Sequence, residues 1–176
     1  MTATTATVLG VALRIPEPAA GQLRQWRARV GDAGAHTIPP HVTLLPPTRV
    51  SDVEMPAVRR HLADVAGMAR PFEMHLHGTG TFRPVSQVVF VAVASGISYC
   101  EAVESELRCG PLGRPLEFPY HPHVTVAHDV PPEMLDLAYE GLSDYDARFA
   151  VAGLTAYEQT PDGHWIPLGE YSFEAR

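Results

Sequence analysis

The sequence predicts an α+β fold with two β-sheet lobes related by an approximate two-fold axis, helices on their outer faces and a central cleft. Two observations lead to this prediction. The tetrapeptides His41-Val42-Thr43-Leu44 and His123-Val124-Thr125-Val126 repeat one pattern within the chain. The element order strand, helix, His-Thr strand, helix, strand is predicted for approximately 8–77 and again for approximately 88–157. We therefore expect residues 1–176 to form a single bilobal domain with an internal duplication, in which each half makes its own small sheet.

The composition is typical of a globular chain, since 45% of the 176 residues are hydrophobic. No apolar run approaches the ~20 residues of a membrane helix, and the first residues lack the basic region of a signal peptide. The two cysteines, Cys100 and Cys109, give no disulfide framework. We therefore expect a cytoplasmic monomer with no membrane partner.

The charge of the chain restricts its partners. A formal net charge of −7 argues against a protein that coats long nucleic acid by neutralising phosphates. It leaves room for a small phosphorylated substrate in a locally positive cleft. Every basic side chain is arginine, so a lysine nucleophile and a P-loop lysine are both excluded.

The first repeat begins with an apolar strand over residues 8–14, which the prolines at 16 and 18 end. Leu23, Trp26 and Val30 then recur at helical spacing, so a helix is predicted there. We expect the arginines of this helix to point mostly outward, and two glycines to end it. These residues are Arg24, Arg27 and Arg29, followed by Gly31 and Gly34.

The first His-Thr strand comes next, and we expect Pro46-Pro47 to end it. The following helix is predicted from an apolar stripe of Val58, Leu62, Val65 and Ala69. Its start is open, because Ser51 and Glu54 match a capping box whereas Pro56 favours a later start. Residues 72–77 alternate as a strand, and residues 78–86 are predicted to be a loop.

The second repeat begins with a buried strand over residues 88–93. A helix follows, with a second capping box at Ser98 and Glu101 and an inner face of Tyr99, Val103 and Leu107. The remaining predictions are a Pro/Gly-rich loop over 109–122, the second His-Thr strand, a helix over 131–142, a strand over 149–157, a turn at 161–163 and a final strand over approximately 165–173.

Each tetrapeptide presents a histidine and a threonine on one face, because residues i and i+2 of a strand point the same way. His41 therefore lies beside Thr43, and His123 beside Thr125. If the lobes oppose each other, these faces meet in a groove. Two imidazoles in such a groove can serve as general base and general acid near pH 7, because an unperturbed imidazole titrates at about 6.5.

Loop aromatics near the expected cleft are candidates for stacking on a base, although they could equally anchor loops to the core. They are Phe82, Phe118 and Tyr120, and Arg83 is a lesser candidate for a phosphate contact. His121 and His123 have metal-ligand spacing, but Pro122 between them argues against a metal pair on a strand. We expect no metal there, and we interpret His75 and His77 as solvent-facing and Trp26 and Trp165 as packing residues.

The two motifs in their duplicated context resemble those of the 2H phosphoesterase superfamily, which includes bacterial 2′-5′ RNA ligase-like proteins and cyclic nucleotide phosphodiesterases. The resemblance rests on residues 40–44 and 121–127, with a supporting glycine loop at 78–82. It implies a bilobal α+β fold with a central cleft. It also implies metal-independent, cofactor-free chemistry on 2′,3′-cyclic phosphates or 2′-5′ linkages of a nucleotide or RNA end.

The resemblance further implies that His41 and His123 are the acid and base and that Thr43 and Thr125 bind the phosphate. Many members have Arg or Tyr shortly after the second motif, where this chain has His128. We include His128, Tyr120 and Phe82 as substrate-binding candidates. One alternative is a non-catalytic module that binds a nucleotide or RNA end, and another is a metal-dependent hydrolase.

Overall fold

The computed structural model describes residues 6–174, which form two four-stranded antiparallel sheets and four α-helices. The strands and helices follow the chain in this order: β1 Ala6–Arg14, α1 Ala19–Arg29, β2 His41–Ser51, α2 Met55–Met68, β3 Phe72–Thr81, β4 Val88–Ser95, α3 Ile97–Leu107, β5 His123–His128, α4 Pro132–Gly141, β6 Asp146–Val151, β7 Gly153–Gln159 and β8 Trp165–Ser172. Short 3₁₀ turns over Ala33–His36 and Gly110–Leu112 precede the two His-Thr strands.

The strand order of the two sheets is equivalent. The first sheet runs β2-β1-β7-β8 and the second runs β5-β4-β3-β6. Each His-Thr strand therefore forms one edge of its sheet and pairs with the strand that opens its repeat, β1 or β4. The predicted α+β fold with two pseudo-equivalent sheets is confirmed.

The two repeats exchange their last strands. β3 closes the first repeat but pairs with β4, and β7 closes the second repeat but pairs with β1. The expectation that each repeat makes its own sheet is therefore wrong. The strand predicted over 149–157 is likewise two strands, because the chain leaves the second sheet at Ala152 and enters the first. Alternation along the sequence indicates a strand but cannot identify its partner.

Strand β2 continues through Pro46-Pro47, contrary to the expectation that these prolines end it. Its pairing with β1 shifts there, since Leu9 pairs with Thr48 and Val11 with Leu45. The two prolines fall inside this bulge on an edge strand, where missing N–H groups cost no ladder bond. The predicted loop at 78–86 is shorter for a related reason, because β3 continues to Thr81 after a shift at Gly78, whose φ is 71°.

The two expected capping boxes have different outcomes. Ser51 N donates to Glu54 Oε2 at 3.0 Å and Glu54 N donates to Ser51 Oγ at 3.4 Å, although α2 itself begins at Met55. The second box does not form, because α3 begins at Ile97 after Gly96 and has no side-chain cap.

The inner face of α3 also differs from the prediction. Tyr99 is 51% exposed and stacks on Phe72, and Cys100 takes its buried position.

The buried core is continuous between the lobes. Helix α4 contacts β3, β4 and β5, whereas α1 contacts β5 and α3 contacts β2 across the lobe boundary. Apolar side chains of all eight strands belong to one packed cluster or border it. No helix within residues 6–174 combines the length and apolar character that a membrane crossing requires.

Candidate active site

The two His-Thr edge strands meet at the boundary between the lobes, where β2 contacts β5. The Tyr120 hydroxyl, just before β5, donates to the Thr43 carbonyl of β2 at 2.9 Å. A groove of about 740 Å³ opens beside this contact. Its lining includes Thr43, Phe82, Val85, Arg114, Leu116, Phe118, Tyr120, His121 and His123.

The two histidines are held by the same local geometry. His41 Nδ1 lies 2.7 Å from the Pro39 carbonyl, and His123 Nδ1 lies 2.7 Å from the His121 carbonyl. A carbonyl oxygen can only accept, so Nδ1 carries the proton in both rings and Nε2 is the nitrogen that can exchange protons. A proline precedes each histidine and holds the residue before it in an extended conformation, which aims that carbonyl.

Both imidazoles are biased toward the neutral form. The pKa of His41 is lowered to about 4, mainly by burial; the hydrogen bond to the Pro39 carbonyl opposes this shift, and the charges of Arg27 and His123 add smaller contributions to it. Burial also lowers the pKa of His123, with a smaller contribution from His121 and an opposing hydrogen bond to the His121 carbonyl. Without a bound anion, both rings are therefore mainly neutral at pH 7.

An aromatic side chain shields each histidine from water. Trp165 stacks on His41 with ring centroids 4.7 Å apart, and Phe82 packs edge-on against His123 at 4.9 Å. Gly10 makes room for the indole, because a Cβ there would lie 3.2 Å from it. The structure agrees with the prediction that Trp165 is a packing residue, but nothing in the sequence indicates its place against His41.

A buried ion pair supports the segment between α1 and His41. Arg27 is 4% exposed. Its Nε donates to Asp32 Oδ2 and its Nη2 donates to Asp32 Oδ1, both at 3.1 Å. Arg27 Nη1 also donates to the Ile38 carbonyl at 3.4 Å. The outward orientation expected for Arg27 is therefore wrong. Its position four residues after Leu23 places it on the inner face of α1, and this spacing is a sequence signal for an inward side chain.

The threonines of both motifs face the same side of their sheets as the histidines. The Thr43 hydroxyl lies 3.1 Å from His41 Nε2 and can donate to the neutral ring. Thr125 pairs with Phe90, and its hydroxyl makes no hydrogen bond within the described part of the chain. Among the described residues that line the groove, the motif histidines and threonines contribute Thr43 and His123, whereas His41 and Thr125 lie outside this lining.

The other predicted substrate-binding residues are placed differently. Phe82 and Tyr120 line the groove, whereas His128 lies at the far end of β5. The His128 ring is exposed, with Nε2 3.2 Å from Asp129. Arg83, the lesser phosphate candidate, pairs with Asp136 at 2.8 Å. The roles of Phe82, Tyr120 and His128 stay predictions.

Sequence comparison finds relatives of this chain. A family model described as the 2′-5′ RNA ligase superfamily matches residues 15–163. A protein of Halalkalibacterium halodurans named as a candidate phosphoesterase is 30% identical over 135 residues, or 77% of this chain and 74% of that protein. A similarly named protein of Bacillus cytotoxicus is 28% identical over 90 residues, which cover 51% of this chain and 52% of that protein.

Structural comparison finds the same architecture in solved proteins. Escherichia coli LigT complexed with 3′-AMP superimposes with a TM-score of 0.72 at 19% identity, covering 96% of this chain and 99% of that one. A protein of Thermus thermophilus gives a TM-score of 0.67 at 22% identity, with coverages of 96% and 99%. These likenesses establish a shared fold.

Proposed function

The chain belongs to the 2′-5′ RNA ligase superfamily of 2H phosphoesterases, and we propose that it cleaves a phosphodiester involving a ribose 2′-oxygen. The substrate class is a 2′,3′-cyclic phosphate or a 2′-5′ linkage of a nucleotide or RNA end. The observation that carries the proposal is the matched pair His41 and His123, each with Nδ1 fixed 2.7 Å from a carbonyl and Nε2 left for proton transfer.

The proposed reaction is an in-line displacement at phosphorus without a metal ion. In the hydrolysis of a cyclic phosphate, water attacks phosphorus and the bond between phosphorus and one ribose oxygen breaks. The product is a phosphate monoester on the other ribose oxygen. His41 removes the proton from water, because its low pKa keeps it neutral. His123 gives a proton to the leaving ribose oxygen, after the bound phosphate anion has favoured its protonated form.

The threonines stabilise the charge that develops on the phosphate. The Thr43 hydroxyl turns from His41 Nε2 to one nonbridging oxygen, and Thr125 donates to the other. Neutral donors suffice because both threonines are held on strands, so that rotation of the hydroxyl is the only movement each donor needs.

The apolar side of the groove supports a nucleotide as the substrate. Phe118 is 62% exposed and Leu116 is 37% exposed, and both line the groove beside Tyr120. Such exposed apolar surface next to the proton-transfer groups is suited to stacking a nucleobase. The complex of Escherichia coli LigT with 3′-AMP, a nucleoside monophosphate, is consistent with this choice.

The test is turnover of 2′,3′-cyclic nucleotides and 2′-5′-linked dinucleotides with excess chelator present, with products identified by the position of the phosphate. We expect turnover by the wild type and its loss in His41→Ala and His123→Ala. His77→Ala is the control, because His77 is an exposed imidazole outside the groove. Binding without turnover would favour the non-catalytic module, and activity that the chelator abolishes would favour a metal-dependent hydrolase.

The assignment of base and acid has its own test. A p-nitrophenyl phosphodiester has a leaving group that needs no proton at neutral pH. It should therefore restore turnover to His123→Ala and leave His41→Ala inactive. Restoration in His41→Ala instead would reverse the two roles.

A further inference from the structure

A second histidine cluster lies on the second sheet, outside the groove. β3 pairs with β6 so that His77 is opposite Asp146, and His75 lies two residues before His77 on the same face. His75 Nε2 is 2.8 Å and His77 Nδ1 is 3.2 Å from the same oxygen of Asp146, Oδ2. All three ligand atoms lie within 4.8 Å of one another.

We propose that His75, His77 and Asp146 form a binding site for a divalent late first-row transition metal ion such as Zn²⁺ or Ni²⁺. Two imidazole nitrogens and one carboxylate are a donor set that these ions prefer, whereas Mg²⁺ prefers oxygen ligands alone. Water completes the coordination, because three protein ligands leave at least one position open.

The spacing of the donor atoms fits such an ion. Ligands about 2.1 Å from a tetrahedral metal are about 3.4 Å from one another. The distances of 2.8 and 3.2 Å from Asp146 Oδ2 to the two histidine nitrogens are close to this value. The two imidazole nitrogens lie within 4.8 Å of each other, and side-chain rotation that brings them to about 3.4 Å would complete the set.

The sheet makes the site rigid and the local charge favours a cation. The backbone register of β3 and β6 is continuous from Phe72 and Val151 to His77 and Asp146, so the three Cα positions are fixed. Arg148 is the nearby cation, and it is 3.3 Å from Glu73, which offsets its charge.

The site is separate from the proposed chemistry. β3 and β6 lie on the opposite side of the second sheet from the edge strand β5, and no member of the cluster lines the groove. The bound ion therefore acts as a clamp between β3 and β6, and phosphodiester cleavage without metal is compatible with it.

Calorimetric titration of protein without a polyhistidine tag tests the proposal. We expect one Zn²⁺ or Ni²⁺ per chain and no binding of Mg²⁺. His77→Ala and Asp146→Asn should each weaken binding by roughly tenfold or more, because losing a ligand costs at least as much as losing an outer-shell partner. At about 100 times Kd, the metal should raise Tm by about 5–10 °C.

His164→Ala is the matched control. His164 also pairs with an aspartate, Asp162 at 3.0 Å, but without a second imidazole, so its removal should leave binding unchanged. Circular dichroism should show that the variants fold, because the side chains of His77 and Asp146 are more than half exposed. Absence of binding by the wild type, or equal binding by His77→Ala, would overturn the proposal. These results are independent of turnover and so of the proposed function.

Discussion

At the scale of single residues, the decisive feature is that both imidazoles have one nitrogen committed to a backbone carbonyl. The contacts of His41 with Pro39 and of His123 with His121 fix the tautomer before any substrate binds. Aromatic neighbours and burial then favour the neutral form. In the proposed mechanism, His41 is thus ready to accept a proton, and His123 becomes a donor only when the charge of the bound substrate favours its protonated form.

The pH dependence of turnover follows from these shifts. Activity should rise with pH through the pKa of His41, about 4, and fall as pH exceeds the pKa of His123, which lies below 6.5. The profile of kcat/KM should therefore be bell-shaped with an acidic optimum. In the profile of kcat, the alkaline limb should move to higher pH, because the bound anion favours the protonated form of His123. The two limbs can belong to the coupled pair rather than to single residues. A kcat/KM optimum above pH 8 would contradict this prediction.

Stability should also depend on the protonation of His41. Its folded pKa is below its unfolded value, so between pH 6.5 and about 4 the unfolded chain binds more protons. The free energy of unfolding should therefore decrease as the pH is lowered across this window, by up to about 3 kcal/mol at about 1.4 kcal/mol per pH unit. His41→Ala lacks this contribution, so the difference between the two denaturation profiles isolates it. Parallel profiles would contradict it.

The threonine hydroxyls should matter for catalysis more than for folding. Thr43→Ala and Thr125→Ala should each raise the activation free energy by about 2–4 kcal/mol, as loss of an oxyanion donor does elsewhere. Steady-state kinetics and thermal unfolding measure the two effects. Thr48→Ala is the control on β2, since its hydroxyl donates only to the Pro46 carbonyl at 2.7 Å. Equal losses of activity and stability would instead make the motif threonines structural.

At the scale of elements, the first His-Thr strand, β2, is supported by the segment before it. Asp32 accepts twice from Arg27 and once from Gly34 N, at 2.8 Å. This pair ties the end of α1 to the 3₁₀ turn that leads to Pro39, whose carbonyl holds His41. The position of the imidazole therefore depends on a buried charge pair in another element.

Breaking this pair should be costly. Asp32→Asn leaves the Arg27 guanidinium buried without its anion and should lower the free energy of unfolding by about 3–5 kcal/mol. Glu170→Gln is the matched control, because it breaks the exposed pair with Arg14 and should cost less than about 1 kcal/mol. Denaturant unfolding of both variants measures the difference. Equal costs would show that burial of the pair has no special role.

At the scale of the whole molecule, the exchange of β3 and β7 makes each sheet depend on both halves of the chain. Helices α1 and α3 also contact the His-Thr strand of the opposite lobe. The lobes therefore share one core across the boundary at which the groove lies.

This arrangement predicts cooperative unfolding. Calorimetry should show one transition in which the calorimetric and van't Hoff enthalpies agree, because neither sheet is complete without the other half. Two resolved transitions would show that the lobes are independent units.

The contact between the lobes at the groove can be tested separately. Tyr120→Phe removes the hydrogen bond to the Thr43 carbonyl and should cost about 0.5–1.5 kcal/mol in the free energy of unfolding. Denaturant unfolding measures this cost, with Tyr99→Phe as a control on an exposed tyrosine. An unchanged stability would mean that water replaces the lost donor without penalty.

The sequence alone determined the features that depend on local pattern. Strand periodicity, which repeats every two residues, placed His41 with Thr43 and His123 with Thr125. The repeated order of strands and helices, which is visible from hydrophobic periods of two and 3.6 residues, predicted two equivalent sheets. Tertiary structure decided which strands pair, since β3 and β7 carry no local mark of the sheet they join. It also decided that Trp165 covers His41 and that Asp146 meets His75 and His77, because contacts between residues distant in sequence depend on packing and register.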